Sequence, residues 1–115
     1  MKRVTDRGEF GVEETVQPDG WTRLRLVGEL DQATARGLSQ RLDELKRSGA
    51  MVRLDLSGLD FIDSSGVRTL LLSLRDARGD GWQLEVEPEV SWQVDRVIKV
   101  LGIAPVLWPG VTEKG

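Results

Sequence analysis

Four stretches of the chain alternate apolar with polar residues, which is the period of a β-strand with one buried face. They are residues 9–16, 21–27, 52–56 and 82–86. The sequence Gln-Pro-Asp-Gly at residues 17–20 is typical of a turn, so the first two stretches are predicted to form a β-hairpin.

Elsewhere the apolar residues recur every three or four positions, which predicts three α-helices. Their predicted ranges are about 33–47, 64–78 and 90–101, with Pro88 as an alternative start of the third. A glycine follows each of these ranges within two residues, as is common at helix ends. A short extended segment is predicted at residues 105–108, followed by a polar tail at residues 109–115.

Strands that alternate with helices after an opening hairpin predict an α/β fold with a mixed sheet. Every predicted strand is apolar on one parity only, whereas a sheet covered on both faces needs strands that are apolar throughout. We therefore expect a small mixed sheet of four to five strands, with about three helices packed mainly on one face. The 115 residues suffice for one domain, 1–115, whose core we place at about residues 9–108.

Composition excludes several kinds of chemistry. The chain has no cysteine and no histidine, which rules out disulfides, thiolate nucleophiles and imidazole or thiolate metal sites. We expect no cofactor and no metal, and we do not expect an enzyme, because the commonest general base is missing. The formal net charge is −3, and the 16 basic residues are spread among 19 acidic ones, so direct binding to nucleic acid is not expected.

The sequence also bears on the expected location of the protein. No apolar run approaches the roughly 20 residues of a membrane span, so membrane insertion is not expected. The first six residues, Met-Lys-Arg-Val-Thr-Asp, lack the apolar core of a signal peptide. The default prediction is a cytoplasmic protein.

The most informative segment is the polar turn Asp63-Ser64-Ser65-Gly66, between the third strand and the second helix. The first amides of a helix point outward without partners, so this place favours negative charge. Aspartate and serine are also the usual N-caps of helices, and Asp63 could simply cap the second helix. Asp31, ahead of the first helix, has the same two interpretations.

The segment Leu54–Val67 (Leu-Asp-Leu-Ser-Gly-Leu-Asp-Phe-Ile-Asp-Ser-Ser-Gly-Val) resembles the signature of STAS domains, in the branch of bacterial anti-sigma factor antagonists. Residues 28–31 (Gly-Glu-Leu-Asp) are a second match, and the third helix gives a weaker one. The resemblance spans about residues 9–108. It implies a small mixed sheet with helices on one side, in agreement with the one-sided alternation.

In these antagonists, the serine after the motif aspartate is phosphorylated by the partner, an anti-sigma factor that is a serine kinase. The resemblance therefore implies that Ser64 is the phosphoacceptor. The unphosphorylated protein would bind the anti-sigma factor, and the phosphorylated protein would release it. The same resemblance places partner-binding residues at Asp31, Asp63, Ser65 and Gly66.

A phosphoserine at this turn is also physically reasonable. It adds about −1.5 to −2 charges, and free amides at a helix start can receive its oxygens without refolding the domain. The glycine at position 66 would let a partner approach the backbone closely. Because Asp63 and Asp31 make the turn acidic, added phosphate is expected to repel a docked partner, so we predict a switch by surface electrostatics rather than by a large change of shape.

Two departures from the family pattern leave a second function open. Trp92 falls where relatives often have a proline, and the chain ends at Gly115 without room for the further C-terminal helix of many antagonists. The small STAS subunits of phospholipid-transport ABC complexes also end early, so the alternative is a subunit that binds the transporter's ATPase. Those subunits tend to carry threonine after the motif aspartate, and Ser64 therefore favours the antagonist.

Three tryptophans have predicted roles. Trp82 shares the apolar parity of the fourth strand and is expected in the core. Trp92 and Trp108 lie near the ends of predicted elements, where they would cover one end of the sheet. If they are exposed instead, they are candidates for partner contact, because aromatic residues are enriched at interfaces.

Overall fold

The computed structural model describes residues 9–110. Eight elements follow one another along this range: β1 (Gly11–Val16), β2 (Thr22–Leu30), α1 (Gln32–Ser48), β3 (Val52–Ile62), α2 (Ser64–Asp80), β4 (Leu84–Val90), α3 (Trp92–Leu101) and α4 (Ala104–Leu107). The predicted order of four strands and three helices is confirmed, and the structure adds one short helix at the end.

The strands form one mixed sheet in the order β1-β2-β3-β4. β1 runs antiparallel to β2, whereas β2, β3 and β4 run parallel to one another. The predicted hairpin is closed by a hydrogen bond from the amide of Gln17 to the carbonyl of Trp21 at 2.8 Å, and Gly20 takes a positive φ of 91° in its turn. Because β2 and β3 are parallel neighbours, their carboxyl ends lie at the same end of the sheet.

One face of the sheet is apolar and packs against the helices. Leu24, Leu26 and Leu54 are fully buried in this core. The helices α1 and α2 contribute one apolar stripe each: Ala35, Leu38, Leu42 and Leu45, and Val67, Leu70, Leu74 and Ala77. The layer of helices on one face is the arrangement that the one-sided alternation predicts.

The opposite face carries charged side chains that pair with one another. Asp55 of β3 is only 1% exposed, and it is flanked by two arginines of β2. Arg23 forms an ion pair with its carboxylate, and Arg25 Nε lies 3.6 Å from the same group. The amide of Ser57 donates a further hydrogen bond to Asp55 at 2.9 Å. These contacts supply the partners that a buried carboxylate needs.

β3 is longer than the alternation at residues 52–56 predicts, because irregular pairing with β2 breaks the period of two. The register of the pair shifts twice opposite residues 25–29. Gly58 lies at the first shift, where a Cβ would come within 2.6 Å of Val27 Cγ1. The strand therefore continues to Ile62 and leads directly into the polar turn.

The third helix begins later than the sequence predicts. Its first residue is Trp92 rather than Pro88 or Val90, because β4 continues to Val90. β4 is the last strand of the sheet, and a proline in an edge strand need not donate a hydrogen bond to a neighbour. Ser91 then caps α3 by accepting a hydrogen bond from the amide of Val94 at 3.3 Å.

The extended segment predicted at residues 105–108 is wrong. The chain forms the helix α4 there, and Pro105 lies in its first turn, where the missing amide costs no helical hydrogen bond. Of the predicted polar tail, residues 111–115 lie outside the described residues. In the part of the chain from residue 9 to residue 110, no helix has the length and apolar character needed to cross a membrane.

An ion pair between Glu14 of β1 and Arg41 of α1 joins the edge strand to the helices. Hydrogen bonding to Arg41 holds the pKa of Glu14 below its ordinary value of 4.5. Because this pKa is depressed in the folded state, the stabilisation is present above the unfolded pKa and is lost as the pH falls through the folded pKa. We expect Glu14→Gln to lower the free energy of unfolding at neutral pH by about 0.2–1 kcal/mol. Urea unfolding should show this difference vanishing in acid, and an equal difference at both pH values would contradict the assignment.

Candidate functional site at the start of helix α2

Asp63 is the N-cap of α2. It leaves β3 in an extended conformation (φ −108°, ψ −174°), and its side chain accepts a hydrogen bond from the amide of Gly66 at 3.0 Å. Its own amide donates to the carbonyl of Leu30 on the neighbouring strand at 3.1 Å. Asp63 thus does cap the second helix, and it also links the end of β3 to the end of β2.

Ser64 is the first residue of α2, and its side chain is exposed, whereas Ser65 is half-buried. Within residues 9–110, the Ser64 hydroxyl makes no hydrogen bond. The amides of both serines belong to the first helical turn, whose N–H groups have no acceptor inside the helix. An unengaged hydroxyl and two unengaged amides therefore lie together at the protein surface.

Asp31 lies beside Asp63 because the strands that precede them are parallel neighbours. Leu30 and Ile62 are paired in the β2–β3 register, so the residues after them leave the sheet at the same end. Asp31 caps α1: its carboxylate accepts from the amide of Thr34 at 3.1 Å, and the Thr34 hydroxyl accepts from the Asp31 amide at 2.9 Å. The structure brings together the two aspartates that the sequence singles out, and each is a cap.

Two further carboxylates add to the negative charge at this end of the sheet. Glu29 and Asp60 are both exposed, and Glu29 is paired with Phe61, the residue after Asp60. No group of three or more potential ligands that could hold a metal ion occurs among the residues that the structure describes. The carboxylates of Glu29 and Asp60, with those of the two caps, make the surface around Ser64 acidic.

Gly66 is buried, and its place in the motif has a packing reason. A Cβ here would come within 2.7 Å of the Leu30 carbonyl oxygen, 2.8 Å of Leu30 Cγ and 2.9 Å of Ile62 Cγ1. Any side chain would push the first turn of α2 away from the ends of β2 and β3. The close neighbour of Gly66 within the described structure is this chain's own sheet, and contact of Gly66 with a partner stays a prediction.

A groove of about 570 Å³ adjoins the turn. It is lined by residues from the end of β3 and the start of α2, including Phe61, Asp63 and Ser64, and by side chains of α3. Trp92 of α3 is 64% exposed, and the guanidinium of Arg96 lies 5.8 Å from the centre of its ring. The candidate phosphoacceptor thus borders a surface that is large enough to receive part of another molecule.

The three tryptophans have different places. Trp82 and Trp108 are half-buried against the core, and their indole N–H groups donate to the carbonyls of Ala50 at 2.6 Å and Val86 at 3.0 Å. Trp82 precedes β4 rather than lying within it. Trp92 is exposed in the groove. The sequence interpretation makes an exposed Trp92 a candidate for partner contact.

The sequence alone does not assign Phe61, Val100 or Leu101 to a groove, and Leu101, which shares the apolar stripe of the third helix, is 53% exposed. A signal was present in the spacing of Trp92 and Val100, which lie two helical turns apart in α3. Assigning them to an exposed face requires knowing which side of α3 packs on the sheet, and the sequence alone does not give that.

Residues 14–107 match the protein-family model described as "Mlab, STAS domain". This range covers both sequence motifs, all four helices and most of the sheet. The chain belongs to the STAS domain family. The resemblance to STAS domains drawn from residues 28–31 and 54–67 is therefore confirmed.

Solved structures that share this fold include anti-sigma factor antagonists. An anti-sigma factor antagonist from Mycobacterium paratuberculosis aligns at 20% identity with a TM-score of 0.72, over 91% of this chain and 88% of that one. The antagonist SpoIIAA in its unphosphorylated form aligns at 21% identity with a TM-score of 0.62, over 83% of this chain and 84% of that one. SpoIIAA of Bacillus in its phosphorylated form aligns at 24% identity with a TM-score of 0.62, over 84% and 86%. These identities establish the fold.

The cap provided by Asp63 gives a stability prediction. Asp63→Ala removes the acceptor of the Gly66 amide and is expected to lower the free energy of unfolding by about 0.5–2 kcal/mol. Asp63→Asn keeps an acceptor without the charge and should lose less. Asp60→Ala is the matched control, because Asp60 is an exposed carboxylate next to the turn that caps no helix. Thermal and urea unfolding measure the three variants, and a loss for Asp60→Ala as large as that for Asp63→Ala would contradict the assignment.

Proposed function

We propose that this STAS domain is an anti-sigma factor antagonist, a cytoplasmic binding module whose affinity for its partner is switched by phosphorylation of Ser64. The observation that carries the proposal is the exposed, unengaged hydroxyl of Ser64 at the first position of α2, beside Asp31 and Asp63. The partner is an anti-sigma factor that is also a serine kinase. The domain itself has no catalytic role in the exchange.

Phosphoryl transfer to Ser64 requires little of this chain beyond a Ser64 hydroxyl that the kinase can reach. A kinase must bring the acceptor oxygen to about 3–3.5 Å from the γ-phosphorus of ATP in line with the leaving group. Ser64 is exposed and lies on a helix whose start is fixed by the Asp63 cap, so its backbone is held at a defined place on the surface. The proposed partner-binding residues are those around it, Asp31, Asp63, Ser65 and Gly66, and Gly66 also holds α2 against the sheet.

Release of the phosphorylated form follows from where the phosphate would lie. Ser64 must face the phosphates of the bound nucleotide in order to be phosphorylated. After the transfer, a group of about −1.5 to −2 charge faces the anionic nucleotide, and like charges at this distance repel. The repulsion therefore arises chiefly between the phosphate on Ser64 and the nucleotide bound to the kinase. The acidic side chains of this domain contribute less.

The switch needs no rearrangement of the fold. The amides of Ser64 and Ser65 are available to receive phosphate oxygens, because the Asp63 side chain engages only the amide of Gly66. The unphosphorylated and the phosphorylated form of SpoIIAA each share the fold of this domain, at a TM-score of 0.62.

A second candidate function is a small STAS subunit that binds the ATPase of a phospholipid-transport ABC complex. The observation that favours it is the family match itself, since the matched family carries the description Mlab and no reference to sigma factors. In that function the same surface would hold the ATPase permanently, and Ser64 would stay unmodified.

A binding experiment separates the two candidates. The immobilised full chain is incubated with each serine-kinase anti-sigma factor and each lipid-transport ABC ATPase of the source organism, with ADP or with ATP. The antagonist function predicts that one anti-sigma factor stays bound in ADP and is lost in ATP. Binding of an ABC ATPase under both conditions, with no anti-sigma factor bound under either, would establish the second candidate and overturn the first.

A further inference from the structure

Exposed apolar side chains of this STAS domain are concentrated at one place. Six large hydrophobic residues are exposed within residues 9–110, and four of them line the groove next to Ser64. The four are Phe61 (47% exposed), Trp92 (64%), Val100 (82%) and Leu101 (53%). Single exposed apolar residues are ordinary on protein surfaces, whereas a contiguous group of them marks an interaction surface.

The helix α3 has an outward face without a partner in the described structure. Val94 and Ile98 are buried in the core. Trp92, Arg96 and Val100 follow one another at a spacing of four residues, so they form a row along the helix that lines the groove. The row is about 12 Å long at 1.5 Å per residue, the length of roughly two helical turns.

The charges of the groove indicate the chemistry of its occupant. Two carboxylates, Asp60 and Asp63, line it beside the apolar residues, with the carboxylate of Asp31 close by. Arg96 is the single cation among the lining residues, and it is stacked on the ring of Trp92. A partner surface complementary to this groove therefore presents a row of apolar side chains with a basic side chain next to it.

Other occupants fit less well. A second copy of this chain, bound by the same patch, would offer Asp60 and Asp63 only the single cation Arg96, which already lies over Trp92. A small molecule is typically buried by 70–90% or so in its pocket. Trp92 and Val100 stand too far out of the surface, at 64% and 82% exposure, to enclose one.

We propose that the groove between the Ser64 turn and α3 is the docking surface for a short amphipathic helix of the partner. The apolar face of that helix packs on Trp92, Val100 and Leu101, and a lysine or arginine at its side pairs with Asp60 and Asp63. This inference deepens the proposed function, on which it rests, because it states how a partner is held while its nucleotide faces Ser64.

The probes for the test are two synthetic helices, covalently stapled because short isolated helices are only marginally stable. Both carry the same leucine row, and one has lysines beside it where the other has glutamates. Each is titrated into the full chain, and binding is followed by the NMR signals of the backbone amides and of the Trp92 indole. We expect the lysine helix to shift the signals of the groove residues and to bind roughly tenfold more tightly than the glutamate helix.

Variants then locate the contact. Trp92→Ala and Val100→Ser are each expected to weaken binding of the lysine helix roughly fivefold or more, since Trp92 is an aromatic anchor and Val100 would lose its apolar contact area. Val16→Ser is the matched control, because Val16 is 74% exposed and lies outside the groove, and it should change nothing. Both valines are far out of the core, so their replacement leaves the fold intact.

Three results would overturn the docking proposal: equal binding of the two helices, indifference to Trp92→Ala and Val100→Ser, or groove signals that shift with protein concentration in the absence of any helix. The last result would make a second copy the occupant. No kinase or nucleotide is present in this titration, so its outcome is independent of whether Ser64 is phosphorylated.

Discussion

Ser64→Asp is expected to weaken binding of the ADP-loaded anti-sigma factor at least roughly tenfold, whereas Ser64→Ala should bind like the wild type and stay bound when ATP is added. A tenfold loss corresponds to about 1.4 kcal/mol. Repulsion between two unit charges about 10 Å apart near a protein surface reaches this size. Because the repulsion comes from the nucleotide, the loss should be smaller when the partner is free of nucleotide. Calorimetry with and without ADP measures both values.

Ser64→Asn is the control that separates charge from size, since asparagine has the shape of aspartate without its charge. We expect Ser64→Asn to bind within about threefold of the wild type, which is well below the roughly tenfold loss expected of Ser64→Asp. Neither variant should disturb the fold, because position 64 is exposed and, for Ser64→Asp, an acidic residue in the first turn of a helix is favourable. Equal losses for Ser64→Asp and Ser64→Asn, or a loss that ignores the nucleotide, would contradict the electrostatic explanation.

Gly66→Ala is expected to lower the free energy of unfolding by about 1–3 kcal/mol, the usual cost of forcing an extra methyl group into a packed site. The new Cβ would lie within 2.7 Å of the Leu30 carbonyl oxygen, which is backbone and cannot rotate away. The first turn of α2 would have to move, and Ser64 would move with it. Urea unfolding gives the loss of stability, and the crystal structure of the variant would show the displacement.

Gly37→Ala provides the matched control for this substitution. Gly37 is exposed in α1, and a Cβ there would meet no atom within 4 Å. Alanine is the better helix former, so this variant should gain about 0.5–1 kcal/mol. The same substitution, glycine to alanine, is therefore expected to lower the free energy of unfolding at position 66 and to raise it at position 37. A gain in stability for Gly66→Ala would show that the packing reason given for the motif glycine is mistaken.

The fold was largely predictable because its main signals are local. One-sided alternation in the strands and apolar stripes in the helices each require only a short window of sequence. The turn at residues 17–20 and the glycines after the helices place the ends of most elements to within a few residues. The position of the helices on one face then follows from the polar parity of the strands, such as that of Arg23 and Arg25 in β2.

The elements that were missed depend on pairing between distant residues. The pattern of β3 stops at residue 56 in the sequence because shifts opposite residues 25–29 of β2 disturb the alternation beyond it. β4 tolerates Pro88 only because it is an edge strand, a position that is known once the sheet order is known. The run at residues 105–108 is too short to show a helical period, so α4 could not be told from an extended segment.

Part of the candidate site could be predicted from local sequence, and part of it depends on contacts between distant residues. The turn at residues 63–66 and the motif aspartate at position 31 could be named from the sequence, and their adjacency follows from the parallel pairing of β2 and β3. The packing role of Gly66 could not, because Leu30 is distant in sequence. The groove also escaped prediction, since Phe61 and Val100 meet only when α3 packs beside the end of β3.

The central claim is that Ser64 is the phosphoacceptor, and phosphopeptide mapping tests it most directly. The full chain and the variants Ser64→Ala and Ser65→Ala are incubated with ATP and the anti-sigma factor kinase that binds the chain in ADP. The proposal predicts one phosphate per chain, located at Ser64 by mass spectrometry, present in Ser65→Ala, absent from Ser64→Ala, and accompanied by dissociation of the complex. A bound kinase that leaves Ser64 unmodified, or a phosphate that persists in Ser64→Ala, would contradict it.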